Sequence, residues 1–207
     1  MWSSPQVFPL VVKLGPLGES VTGSERRGRE RRERETDSAS RANKASERRH
    51  SFGRAKTMAD ASFEKEFLDT HNAYRKKHQA PPLTMSRDLC SSAQAWAKHL
   101  LSIKTLQHSD TKNGENLYYA WSSGPKKLTG KEAVDSWYSE IKDYHFSNPG
   151  FASNTGHFTQ VVWKDSTEVG VGLATDGQTV FVVGQYSPAG NMCNEGYFEK
   201  NVLPAVD

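Results

Sequence analysis

Apolar residues return at helical intervals through residues 61–163 and crowd into short β-branched runs after that, so the chain reads as helices followed by strands. Phe63, Phe67, Leu68, His71 and Tyr74 share one face of a helix predicted over residues 61–79. Ser62 is its expected N-cap, Glu64 and Glu66 suit the positive end of the helix dipole, and Pro81-Pro82 ends it. Leu89, Ala93, Trp96, Ala97 and Leu100 mark a second helix over residues 86–102. Thr129-Gly130-Lys131-Glu132 is a capping box that opens a third helix to about Tyr144, with Ala133, Val134, Trp137, Tyr138 and Ile141 as its apolar face. A short fourth helix is expected from His157 to Trp163. Residues 168–175 and 179–186 then read as strands joined by Asp176-Gly177, a strong hairpin turn, and residues 116–120 as a third strand. Helices and antiparallel strands mixed in this way predict an α+β layered fold.

Composition divides the chain in two. Its 207 residues suit one domain plus a tail. The net charge of +3 averages unlike parts: residues 1–57 hold 13 Lys/Arg against 7 Asp/Glu, a net of +6, whereas residues 58–207 hold 14 against 17, a net of −3. The tail has almost no large apolar residues beyond Leu17, so residues 1–57 are expected to be disordered, with the domain spanning 58–207. Glutamates interleaved among Arg26 to Glu35 cancel much of the local field, and no nucleic-acid partner is expected. The apolar run Val7–Val12 has no cation before it and Pro9 within it, and it is read as no export signal. No stretch approaches the roughly 18 apolar residues of a membrane-spanning helix. Two cysteines suit a reducing compartment, or at most a single bridge; Cys90 and Cys193 fit no zinc spacing and are read as ordinary thiols.

Four motifs carry the functional signal. They are His71-Asn72-Ala73-Tyr74-Arg75, Gly114-Glu115-Asn116-Leu117, Gly156-His157-Phe158-Thr159-Gln160-Val161-Val162-Trp163, and Tyr186-Ser187-Pro188-Ala189-Gly190-Asn191. In this order the chain resembles the CAP superfamily of cysteine-rich secretory, antigen 5 and pathogenesis-related 1 proteins, over roughly Ala61 to Val206. The resemblance implies a three-layer α-β-α sandwich and a central cleft lined by His108, Glu115, Glu140 and His157. It implies a site for Zn²⁺ or another divalent cation there. The chemistry is coherent, since neutral imidazole is a good zinc ligand and a carboxylate beside each histidine would fix its tautomer. The competing reading is a hydrogen-bonded network that closes the fold with no metal.

Tyr144, Phe146 and Phe151 have an aromatic spacing that some relatives use for sterol, so they are the candidate lipid contacts; core packing is the competing reading. Some relatives carry a proposed catalytic serine near the second motif. Tyr118 to Ser123 offers no convincing counterpart, and no catalytic residue is assigned. His71, Asn72 and Arg75 are expected to be structural, tying down loop carbonyls. The expected function is a non-enzymatic CAP domain that associates with an anionic lipid or sterol membrane surface. The resemblance also implies a homodimer in the cytoplasm, peripheral to the Golgi or other membranes. The rivals are a hydrolase working through the cleft histidines and a secreted defence or signalling protein.

Overall fold

The computed structural model describes residues 59–124 and 127–206, and the expected tail of residues 1–57 lies outside the described residues. Helix α1 spans Ala61–Lys77. Its cap is Asp60, not the expected Ser62: Asp60 is extended and its carboxylate accepts the Phe63 N–H at 2.8 Å, whereas Ser62 is already helical. Strand β1 (Thr84–Met85) follows, then α2 (Arg87–Ile103) and β2 (Gly114–Trp121). Thr129 caps α3 (Gly130–Tyr138) as its motif predicts, accepting the Glu132 N–H. The third helix stops short of Tyr144, because the chain tightens into a 3₁₀ turn at Ser139–Asp143 that buries Glu140. Helix α4 (Gly156–Val162), β3 (Glu168–Thr175), β4 (Thr179–Ser187) and α5 (Tyr197–Asn201) complete the order.

The sheet order is β1-β3-β4-β2, with β1 parallel to β3 and the other pairs antiparallel. Alternation along each strand feeds two cores. Val180, Val182 and Tyr186 of β4 join Phe67, Trp137 and Phe158 in the larger core, on the side of α1, α3 and α4. Phe181 and Val183 point the other way and meet Ala93, Ala97 and Leu100 of α2. The expected three-layer α-β-α sandwich is therefore the fold. Gly170 and Gly172 explain how closely α2 lies on β3. A Cβ at either position would stand 2.3 Å from a backbone nitrogen of α2, at Cys90 or Gln94.

Arg75 ties the layers together. It is fully buried, and its guanidinium donates to the carbonyls of Pro81 (2.8 Å), Val161 (3.1 Å), Trp163 (2.8 Å) and Ser166 (2.8 Å). Burial pulls its pKa down to about 10, so it stays charged at neutral pH. Beside it, Asn72 and Leu83 exchange hydrogen bonds of 3.1 and 2.7 Å. His71 lies between the Phe67 carbonyl and the Tyr186 hydroxyl, and burial lowers its pKa to about 3. All three residues hold loops and core as their sequence context suggests. Arg75→Ala would strand several buried carbonyls at once, so urea unfolding should show a loss of at least about 3 kcal/mol. A loss under about 1 kcal/mol would mean that water replaces the guanidinium at little cost.

Candidate functional site

The four candidate site residues come from four different segments. His108 lies in the loop between α2 and β2, Glu115 is the second residue of β2, Glu140 sits in the 3₁₀ turn, and His157 is the second residue of α4. They form two His–Glu pairs. Glu140 accepts the His157 ring Nδ1–H at 2.9 Å, the His157 backbone N–H at 2.9 Å and the Phe158 N–H at 3.1 Å. The His157 ring also lies nearly parallel to Trp137, 12° apart with centroids at 6.3 Å.

In the second pair, Glu115 accepts the His108 Nδ1–H at 2.8 Å and the Ser109 N–H at 2.9 Å. Gln185 donates to its other oxygen at 3.1 Å, and the Ser109 hydroxyl does so too. The sheet register makes this possible, since Glu115 sits directly opposite Gln185. Burial alone would raise the Glu115 pKa, but the bonds from His108, Ser109 and Gln185 together outweigh it and hold the carboxyl below its usual range.

Both carboxylates engage Nδ1, so each imidazole carries its proton there and keeps Nε2 as a lone-pair donor. Both histidines line one cleft of about 210 Å³, which Asn113, Phe151 and Asn191 help to wall. Glu115 and Glu140 thus stand behind the histidines as orienting partners. Among the described residues no group of three or more His, Cys, Asp or Glu side chains converges to hold a metal. The nitrogens that the two carboxylates leave over, and that could take part in holding a cation, are one from each imidazole. The pairs differ in exposure: the side chains of His157 and Glu140 are 6% and 1% exposed, and those of His108 and Glu115 are 34% and 4%.

The candidate lipid contacts are placed differently. Tyr144 is buried, with its ring against Phe146 (4.9 Å) and Phe158 (5.4 Å). Phe146 is half-buried and stacks on His78 at 6.2 Å. Phe151 is half-buried at the cleft and packs over Gly156. Their spacing matches the needs of the core, because the chain after the 3₁₀ turn must cover Phe158. Ser122 lies about 23 Å along β2 from Glu115, too far to work with the cleft histidines. Its hydroxyl donates to the Gly124 carbonyl. Cys90 and Cys193 are both free thiols.

Ser109 and Gln185 belong to the site and were missed from sequence. Gln185 could have been found only by pairing β2 with β4 in the correct register. Asn191, the last residue of the fourth motif, braces the cleft wall. It accepts from Thr159 Oγ1 at 2.6 Å and donates to the Gly156 carbonyl at 2.9 Å.

Known proteins resemble this chain over most of the described residues. The model of the cysteine-rich secretory protein (CAP) family matches residues 68–186. The Golgi-associated plant pathogenesis-related protein 1 of Homo sapiens is 50% identical over 152 residues, covering 70% of this chain and 96% of that protein. Protein PRY2 of Saccharomyces cerevisiae is 39% identical over 145 residues, covering 69% of this chain but only 41% of its own length. The solved structure of BmVAL-1 superposes with a TM-score of 0.57 at 28% identity, covering 72% of this chain and 84% of that one.

The depressed Glu115 pKa has a consequence for acid stability. Its contribution is complete above the unfolded carboxyl pKa of about 4.3 and is lost as pH falls through the lower folded value. Urea midpoints compared at pH 7 and pH 3 should therefore fall less for Glu115→Gln than for wild type. An equal fall would show that Glu115 gains nothing from its donors.

Proposed function

The chain belongs to the CAP family of cysteine-rich secretory proteins, and we propose that within it this protein is a metal-holding, membrane-associating domain and not an enzyme. One observation carries the metal reading: each cleft histidine has its Nδ1 committed to a buried carboxylate, which leaves Nε2 of two rings that line the same cleft as the nitrogens for a cation. His108 and His157 would hold the cation, while Glu115 and Glu140 raise ring basicity and fix ring orientation. A Zn²⁺ ion bound there would supply Lewis acidity and retain open positions for water.

The non-enzymatic reading is supported by the disposition of the hydroxyls. Ser109 donates to Glu115, so its proton faces the carboxylate and not an imidazole. A nucleophile–base pair needs the opposite arrangement. The membrane reading draws on the name of the Golgi-associated human relative and on the basic charge of residues 1–57. A location on the cytoplasmic side of the Golgi, an acidic or sterol-containing lipid surface and a homodimer belong to the same proposal. Tyr144 and Phe146 are already engaged in the core, which leaves Phe151 as the member of the predicted trio that could meet a lipid from the cleft.

Calorimetric titration with Zn²⁺ tests the metal reading. His108→Ala and His157→Ala should each abolish measurable binding, and Glu140→Gln should weaken it by about ten- to a hundredfold. Unchanged affinity after both histidines are replaced would refute the assignment. Ester or peptide turnover that disappears in His108→Ala would instead promote the hydrolase.

A further inference from the structure

Three consecutive residues of β2 each reach a different part of the cleft. Successive side chains on a strand point to opposite faces of the sheet. Leu117 packs with α2, so Glu115, two residues earlier, shares that face, where it holds His108 at 2.8 Å. Asn116 points the other way, on the face that Tyr118 shares with Trp137 and Phe158. Its amide nitrogen donates to the His157 carbonyl at 3.1 Å. The Leu117 carbonyl accepts the Trp137 indole N–H at 2.9 Å, and Trp137 is the ring that runs parallel to His157.

Asn116 is buried and is itself held in place. Its amide nitrogen also donates to the Tyr186 hydroxyl at 3.3 Å, and that hydroxyl meets His71 Nε2 at 2.8 Å. The two ends of this chain of bonds fix every proton in it. His71 Nδ1 lies 2.8 Å from the Phe67 carbonyl, which can only accept, so Nδ1 carries the proton and Nε2 takes one from Tyr186. The Tyr186 oxygen then accepts from Asn116. At the other end the His157 carbonyl can also only accept, so the amide must turn its nitrogen, and not its oxygen, toward it. Burial keeps the links in this state. It lowers the His71 pKa to about 3, leaving the ring neutral, and pushes the Tyr186 phenol well above its usual range.

We propose that Asn116, backed by Tyr186 and His71, is a positioning residue for the cation site, fixing where His157 stands relative to His108. The assignment rests on the metal half of the function proposed above. Glu140 grips the His157 N–H and its ring Nδ1, which sets the tautomer and leaves the carbonyl end of the residue to Asn116. Glu140 belongs to the 3₁₀ turn, whereas the partner of His108 belongs to β2. Asn116 is the direct bond between that strand and His157, and the Trp137–Leu117 bond supports it from the ring side. Glu115 and Asn116 are neighbours on a strand paired along its length with β4, so both imidazoles are referred to one rigid element. Two nitrogens that share a cation at bonds of roughly 2.0–2.1 Å tolerate little drift between them.

Two measurements on the full chain test this: calorimetric titration with Zn²⁺, and solvent exchange of the His157 Nδ1–H by NMR in metal-free protein. Asn116→Ala should weaken Zn²⁺ binding about ten- to a hundredfold. It should also speed the ring N–H exchange about tenfold or more while leaving the proton on Nδ1, since Glu140 still holds it. Tyr186→Phe keeps the ring and removes only the hydroxyl, so it should move both readouts the same way by a smaller factor, and it carries the test if Asn116→Ala does not fold. Leu100→Ala thins the core on the other face of the sheet and should leave both readouts within about threefold of wild type. If wild type binds Zn²⁺ and Asn116→Ala and Tyr186→Phe bind it equally well, the positioning role is wrong while the metal reading stands. If Leu100→Ala loses as much affinity as Asn116→Ala, the loss reflects general destabilisation and the positioning role is again refuted. If wild type binds no Zn²⁺, the metal reading falls and the exchange rate decides alone: faster exchange in Asn116→Ala upholds the positioning of His157, and an unchanged rate overturns it.

Discussion

A carboxylate removed from water must be met by donors, and Glu140 sets that demand at the centre of this molecule. It is fully buried and is answered by three N–H groups, two from the backbone at the start of α4 and one from the His157 ring. Meeting those donors fixes where α4 begins, which way His157 faces and which of its nitrogens carries the proton. The 3₁₀ turn after α3 brings Glu140 inward, and Trp137 one turn earlier supplies the surface on which His157 lies.

The other half of the cleft is built on the sheet and is more open. Glu115 depends on the β2–β4 register for Gln185 and on the loop after α2 for Ser109 and His108. The deep pair is almost wholly buried, whereas His108 is about one-third exposed. A ligand entering the cleft therefore meets a fixed imidazole on one wall and a more accessible one on the other. The same economy of coverage shapes the outside: one face of the sheet is thickly packed, and the other has a single helix that leaves β2 fringed with aromatics.

Much of this could be read from the chain. The amphipathic spacing of Phe63, Phe67, His71 and Tyr74 fixed α1, Thr129 with Glu132 fixed the start of α3, and Asp176-Gly177 fixed the hairpin. Glu115 and His157 were legible because they sit inside local motifs, whereas His108 and Glu140 came only from the family resemblance. Their roles were not, since which oxygen faces which nitrogen depends on register and on the 3₁₀ turn. Residues 144–151 leave two readings open in the sequence because a buried aromatic and a lipid-facing aromatic have the same signature, and only Phe158 reveals what Tyr144 and Phe146 pack against. Two-residue β1 and five-residue α5 are too short to give a periodic signal, and Asp60 lies three residues ahead of Phe63, where the apolar pattern of its helix begins.

Carboxylates dictate the tautomer of both cleft histidines. Nitrogen-15 NMR of the imidazoles, recorded at alkaline pH in metal-free protein, reads that tautomer directly. The expected result is Nδ1–H for both His108 and His157, with that of His157 protected from solvent exchange by its burial. Finding the proton on Nε2 of either ring would contradict the account, because that ring would then turn a donor toward the cleft and could not bind a cation there through Nε2.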